Sequence, residues 1–398
     1  MRISTANAAD RSLELMQQRQ QQLVDAQDRL ASGKRVARAS DDPTAAARAE
    51  RALAQQSRAD ASQRALQASR NAMVQAESAL GDSIDLVQHA RELVLQAGSP
   101  LYNDAQRLTL AQEIRGLRAQ LLQIANRGDG ASGFLFGGQG SAEPPFVDAP
   151  GGVQYRASGG SMDAASGEPL PMTVDGGMSF LMTMSGNGVF VTAPAAGNGS
   201  GAWVDAGRVI DPGALTGDDY QVVFTVTGPN TTYAVLRNGA PTAVAAAPYV
   251  SGASIEFDGI ALNVTGVPAD GDRFDATPSA RELSLFDTLD RLANEMSFGG
   301  RSTAQVTQTV QTALRDVDAS LGTLISLRSQ LGGVLLRTDA VEDRIAESKL
   351  AAQTDRAAAE DLDMVAAVSD FQTRQTSYDA ALKAYSMVQR LSLFQYIS

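Results

Sequence analysis

Two neighbouring carboxylates, Asp41 and Asp42, are the first candidates for a catalytic or metal-binding role. They lie in the segment SDDPTAAARA (40–49). Adjacent carboxylates can bind a metal ion or share a proton in acid–base catalysis. Both roles need further groups, and the sequence places no histidine, cysteine or third carboxylate at ligand spacing beside them. Proline is favoured at the first position of a helix, and aspartate at the position before it. We therefore predict that Asp42 caps a helix that begins at Pro43.

The other candidates for chemistry are weaker. His89 is the only histidine, and the chain has no cysteine. Its surroundings, VQHARELV, do not match the HExxH pattern of zinc proteases, so we expect a partly exposed helix residue. The glycines of GFLFGGQG (133–140) do not follow a strand and open a helix, which favours a domain junction over a phosphate-binding loop. The sequence predicts no enzyme, no cofactor and no metal.

Charge and hydropathy argue against two further classes of protein, those that bind nucleic acid and those that span a membrane. The net charge of the 398-residue chain is −12, which argues against nucleic-acid binding because that function needs a basic face. Residues 141–280 hold 14 acidic and 4 basic residues, so this middle third is expected to face solvent. The N-terminus lacks the features of a cleavable secretion signal, and no apolar run approaches the roughly 18 to 20 residues of a membrane span.

Hydrophobic periodicity divides the chain into helical ends and a β-rich middle. Segments such as YQVVFTVTG (220–228) and SIEFDGIALNVTG (254–266) alternate apolar and polar residues between turn signals, which is typical of strands. Apolar residues before 141 and after 278 recur with helical spacing. We predict an α+β multidomain fold. Both chain ends form a long helical coiled-coil or bundle rod, and a β-rich domain is inserted between them and faces outward.

The two extreme ends carry heptad seams without a local partner. The positions are Leu13, Met16, Gln20, Leu23, Gln27 and Leu30 near the N-terminus, and Met364, Val368, Phe371, Gln375, Tyr378, Leu382 and Tyr385 near the C-terminus, followed by Leu391, Leu393, Phe394 and Tyr396. We predict that the two seams pack antiparallel and form an interface between subunits, where they become ordered. Glutamine at inner positions weakens an isolated pair and favours this reading. An ordinary intramolecular helical hairpin is the alternative.

The ends of the chain resemble the flagellin superfamily, and within it the junction proteins between hook and filament. The matching segments are MRIST (1–5), ASGKRVARASDDPTAAARA (31–49), FLFGGQGSAEPPF (134–146), RSQLGGVLLRTDAVEDR (328–344) and SLFQYIS (392–398). Their order and their distances from the two ends make the combination specific. FDGIALNVTGVPADGDRF (257–274) is also similar to a β module of large members.

The resemblance implies a domain layout. Terminal helices at 1–40 and 360–398 would form the inner region of an assembly, 41–140 and 279–359 a helical rod, and 141–278 an outward β-rich variable domain. It also implies a structural, non-enzymatic subunit that joins the flagellar hook to the filament and on which flagellin polymerises.

The partners implied are copies of itself, the neighbouring hook-associated junction protein, flagellin, and a flagellar export chaperone before secretion, with no nucleic acid and no membrane insertion. Export through the flagellar type III channel without a cleaved signal would place the protein outside the cell. The alternatives are a filament-forming flagellin and, more remotely, a surface-displayed adhesin or binding module.

Overall fold

The computed structural model describes residues 5–130, 133–164, 168–199 and 201–397, and within them the side chains of residues 10–387. Within these ranges the helices are α1 Thr5–Ser32, α2 Pro43–Ala97, α3 Asp104–Ala125, α4 Gly176–Phe180, α5 Leu285–Ser297, α6 Thr303–Glu360 and α7 Met364–Ile397. The strands are β1 Phe146–Ala149, β2 Gly152–Tyr155, β3 Thr183–Met184, β4 Phe190–Pro194, β5 Trp203–Val204, β6 Arg208–Val209, β7 Tyr220–Thr227, β8 Asn230–Arg237, β9 Ala240–Pro241, β10 Ala247–Pro248, β11 Ser254–Phe257, β12 Ile260–Thr265, β13 Arg273–Pro278 and β14 Arg281–Leu283. Helical ends around a β-rich middle confirm the predicted α+β fold.

Local signals set the helix boundaries. The Asp42 carboxylate accepts a hydrogen bond from the Ala45 N–H at 3.0 Å, which is the predicted cap of α2. Gly33 ends α1 with a φ of 67°, a left-handed conformation that glycine adopts without steric cost. Asn103 and Gln106 form a reciprocal capping box at the start of α3.

The chain divides into two compact units, of which the first comprises residues 1–64 and 341–398. Here α1 packs against α7, and the first part of α2 lies beside the last part of α6. The Lys349 ammonium lies 2.7 Å from the Asp60 carboxylate across the second pair. The facing surfaces of α2 and α6 are mostly alanine, and the buried residues include Ala45, Ala49, Ala52, Ala352 and Ala359.

The second unit, residues 65–340, has a helical core built from α2, α3, α5 and α6. On α2, Leu66, Met73, Leu80, Val87 and Val94 are each at most 1% exposed, and the last four belong to this core. Four phenylalanines extend this core toward the middle of the sequence: Phe136, Phe146, Phe180 and Phe286, with ring centroids 5.1 to 6.0 Å apart. The segment from β1 to α4 thus packs on the helices, although it lies beyond residue 140, where helical periodicity ends.

A separate β core lies within the same unit. Its larger sheet is antiparallel, with strand order β10-β8-β7-β13-β4 and β9 paired with β8; the smaller sheet has the order β11-β12-β5, with β6 paired with β12. The two sheets enclose Phe190, Phe224, Leu262 and Phe274, each at most 4% exposed. The predicted strand segments 220–228 and 254–266 are strands β7, β11 and β12 with their turns.

Candidate assembly interface

The terminal helices form an antiparallel pair in the first unit. The Arg19 guanidinium donates a hydrogen bond to the Ser377 carbonyl at 2.8 Å. Arg374, three residues before Ser377, donates to the carbonyl of Gln22, three residues after Arg19, at 3.5 Å. These two contacts fix both the direction and the register of α1 against α7, in the orientation that the sequence predicts.

One half of each predicted seam faces the partner helix. The half-buried members recur every seventh residue: Met16, Leu23 and Leu30 on α1, and Phe371, Tyr378 and Tyr385 on α7. Among the described side chains of these two helices none is fully buried. The pair therefore has a contact line but no closed core, since two helices can cover only a narrow strip of each other.

The other half of each seam points away from the partner. Its members are exposed: Leu13, Gln20 and Gln27 on α1, and Met364, Val368, Gln375 and Leu382 on α7. Leu13 is 45% exposed, Met364 50%, Val368 41% and Leu382 39%. The remaining predicted interface residues, Leu391, Leu393, Phe394 and Tyr396, lie outside the described side chains. The exposed half is mainly apolar on α7 and holds one leucine and two glutamines on α1, and an uncovered heptad face of this kind is expected at an interface with further helices.

The segment that connects α1 to α2 contacts the segment that connects α6 to α7. Lys34 forms a β-bridge with Asp361, and the Leu362 N–H donates to the Gly33 carbonyl at 3.0 Å. The Lys34 ammonium contacts the Glu360 carboxylate at 2.5 Å, and this contact holds the pKa of Glu360 below its ordinary value. The α1–α2 link and the α6–α7 link are thereby fixed side by side.

The carboxylate pair at the start of α2 has a structural role. Hydrogen bonds from the Ala45 N–H and then the Thr44 hydroxyl lower the pKa of Asp42 to about 2. Asp41 accepts N–H hydrogen bonds from Ala37 and Arg38 in the preceding turn. Both carboxylates thus stabilise backbone, as predicted for Asp42.

His89 and the other potential metal ligands lie in positions that do not form a site among the described residues. His89 is exposed on α2, with its Nε2 atom 3.5 Å from the Glu113 carboxylate. In the described part of the chain no group of three or more His, Cys, Asp or Glu residues has the geometry to hold a metal ion. No helix within the same ranges is both long and apolar enough to cross a membrane.

Sequence reasoning missed the polar residues that set the register. Arg19 and Arg374 flank the seams, and Lys34 and Glu360 join the links. Their signal was present in the sequence, because long basic side chains beside a heptad seam commonly reach the neighbouring helix. The partner of each could not be chosen without the register.

Comparison with known proteins gives matches at both ends and in the middle. The N-terminal helical region of bacterial flagellin matches residues 3–141, and its C-terminal helical region matches residues 314–397. The D2-like domain of flagellar hook-associated protein 1 matches residues 194–278.

Individual relatives extend the similarity to the full length. Flagellar hook-associated protein 3 of Escherichia coli K12 is 24% identical over 400 residues, which is 99% of both chains. That of Salmonella typhimurium LT2 is 31% identical over 153 residues, 38% of this chain and 48% of the relative. The crystal structure of hook-associated protein 3 from Legionella pneumophila is 26% identical, with a TM-score of 0.72 over 77% of this chain and 97% of that chain. The predicted resemblance to the flagellin superfamily is confirmed.

Proposed function

We propose that this chain, whose relatives include the flagellar hook-associated proteins 3, is a structural subunit of the bacterial flagellum that joins hook to filament. It would act as the junction on which flagellin polymerises. Its work would be assembly, with no chemical step.

One observation carries this proposal: the terminal helix pair is incomplete alone. Half of each heptad seam is covered by the other helix, and the other half presents Leu13, Val368 and Leu382 to the outside. Burying an apolar side chain contributes roughly 1.5 to 3 kcal/mol. Ordering a residue costs about 1 to 2 kcal/mol, so one contact alone does not order a helix. Many contacts made together at a growing end would do so, which favours assembly there over association in solution.

The proposal includes a division of labour along the chain. Residues 1–40 and 360–398 would form the inner assembly region, 41–140 and 279–359 the rod, and 141–278 the outward domain. The partners would be copies of the chain, the neighbouring hook-associated junction protein, flagellin and, before secretion, an export chaperone. We place the assembled protein outside the cell, after export without a cleaved signal.

A filament-forming flagellin is the second candidate, because the N-terminal and C-terminal helical regions of bacterial flagellin match the two ends of the chain. The full-length similarity to a hook-associated protein 3 favours the junction. A junction is needed in few copies at one place, whereas a flagellin forms the whole filament.

Deletion of the chromosomal copy tests the proposal, with electron microscopy of the cells and analysis of the medium. We expect cells with hooks but no filaments, and flagellin shed into the medium. Restoration by a plasmid copy of the intact chain is the control. Normal filaments on the deletion strain would contradict both flagellar roles and favour a surface-displayed binding protein.

A further inference from the structure

A second heptad pattern lies on the outward side of α2 in the first unit. Its members, Ala47, Arg51, Ala54, Arg58 and Ala61, are spaced by four and three residues and are all exposed. They lie on the side of α2 opposite its buried alanines, Ala45, Ala49, Ala52 and Ala59. The pattern forms a flat alanine stripe that carries two arginines, and we call it the basic stripe.

A complementary pattern lies on α6 at the same end of the unit. Its members, Asp343, Glu347, Leu350 and Thr354, are also spaced by four and three residues and exposed. Leu350 is 65% exposed and is the apolar member of this set. These residues lie opposite the buried Val341, Ala352 and Ala359. We call this set the acidic stripe.

The charged side chains of the two stripes are not neutralised by ion pairs in the part of the chain that the structure describes. Within the described residues, Arg51, Arg58, Asp343 and Glu347 form no ion pair, whereas the neighbouring Lys349 is paired with Asp60. Segment 43–64 of α2 contains four basic and two acidic residues, and segment 341–360 of α6 contains three basic and five acidic residues. The two segments therefore carry opposite net charge.

The basic side also offers space to a neighbour. A groove of about 430 Å³ lies between α2 and α6 at the edge of the basic stripe, and its lining includes Arg48, Arg51 and Gln55 of α2 and Ala358 of α6. Asp355 and the ion pair of Arg35 with Asp42 also line it. The Arg35–Asp42 pair is neutral, so the two other arginines outnumber the remaining acid.

We propose that the basic stripe of one copy packs against the acidic stripe of the next copy. The buried faces of α2 and α6 face each other, so the two stripes lie on the outer sides of the pair and point in opposite directions. Two different faces on one chain produce a head-to-tail contact, which closes into a ring if the rotation allows. Such a contact would seat Leu350 on the alanines and place each carboxylate near an arginine.

This inference rests on the proposed function, because it supplies lateral contacts for a ring of copies at the junction. It concerns a surface other than the terminal helix pair. An acidic face on a different protein is the competing occupant of the basic stripe, and the test separates the two.

The test is charge exchange in a deletion strain that carries plasmid copies of the chain. One variant combines Arg51→Glu with Arg58→Glu, a second combines Asp343→Arg with Glu347→Arg, and a third carries all four changes. The matched control combines Arg156→Glu with Arg208→Glu, two exposed arginines of the second unit that form no ion pair among the described residues. The readouts are filaments per cell and secreted protein in the medium.

We expect each one-sided reversal to reduce filaments per cell at least tenfold. The four-residue exchange should restore them to within twofold of the intact chain, as should the control. Full filaments with either one-sided variant would overturn the inference while leaving the junction proposal intact. Loss in both variants without restoration by the exchange would show that the partner is not a second copy.

A photo-crosslinking residue at position 58 of the otherwise intact chain gives a measurement that does not depend on secretion of the reversed variants. In isolated hook–filament structures we expect its crosslink in segment 341–360 of a second copy. A crosslink to another protein would overturn the inference.

Discussion

At the scale of single residues, the two carboxylates that are candidates for chemistry, Asp41 and Asp42, instead accept hydrogen bonds from the backbone. Asp42 looks like half of a metal or acid–base site in the sequence, and its oxygens cap α2. Proline at position 43 made this outcome predictable, since a helix start needs both residues. The contact of Lys34 with Glu360 was not predictable, because the two residues are far apart in the sequence and meet only through the register of α1 and α7.

The capping role of Asp42 predicts a specific dependence on pH. Its pKa is lowered from 3.8 to about 2 in the folded chain, so its contribution to stability is complete above pH 3.8 and is lost as the pH falls through 2. Asparagine caps helices as well as aspartate does but does not titrate. We expect the stability difference between Asp42 and Asp42→Ala to shrink from pH 4 to pH 2, and that between Asp42→Asn and Asp42→Ala to stay constant. Urea unfolding followed by circular dichroism measures both; parallel curves would contradict the assignment.

Two aspartates on α6 provide a matched pair for a stability prediction. Asp316 is 1% exposed and accepts from Arg291 at 2.9 Å and Arg315 at 2.8 Å. Asp318 forms an exposed pair with Arg91. Asp316→Ala leaves the Arg315 guanidinium, which is 10% exposed, without its carboxylate and should cost about 3 kcal/mol or more. Asp318→Ala should cost about 1 kcal/mol or less. Equal losses in chemical denaturation would refute this account of the buried ion pairs.

At the scale of elements, periodicity predicted the long helices well and their partners only in part. On α2 every position of a heptad pattern from Leu66 to Val94 is buried, including Ala76 and Ala90 between the larger residues. The terminal seams have the same spacing, yet only every seventh residue is covered. Heptad spacing does not state how many helices will meet. The burial of Phe146 and Phe180 in the helical core could not be predicted from the sequence either, since the irregular segment that carries them has no hydrophobic periodicity.

The divided seams predict that two double variants of α7 behave differently. Val368→Ser with Leu382→Ser alters the exposed half, so the isolated chain should keep its helical content and lose assembly. Phe371→Ser with Tyr378→Ser alters the half that contacts α1, so the helix pair itself should loosen. Hydrogen exchange of α1 and filament counts in the deletion strain measure the two effects. Faster exchange of α1 in the first variant would contradict the division.

The two compact units predict the effect of a larger change. Removal of residues 377–398 takes away more than half of α7, which belongs to the first unit, and leaves the sequence of the second unit, residues 65–340, intact. We expect a soluble chain with its second unit folded and with no ability to assemble. Circular dichroism and thermal unfolding against the full chain would check this, and unfolding of the whole rod would refute it.

At the scale of the whole molecule, charge and exposed apolar surface point to assembly. The net charge of −12 opposes non-specific association of the chain in solution. The exposed half-seams and the two stripes on α2 and α6 are the places where specific neighbours would overcome this repulsion. The β-rich segment carries most of the acidic excess, as expected for a part that faces solvent.

The absence of cysteine from the chain permits the most direct test of the central claim. Val267, which is 77% exposed between β12 and β13, can be replaced by cysteine and labelled with maleimide-gold on intact flagella. The junction role predicts a single band of gold between hook and filament in electron micrographs, and no label with the cysteine-free chain. Gold along the whole filament, or on the cell surface away from flagella, would contradict it.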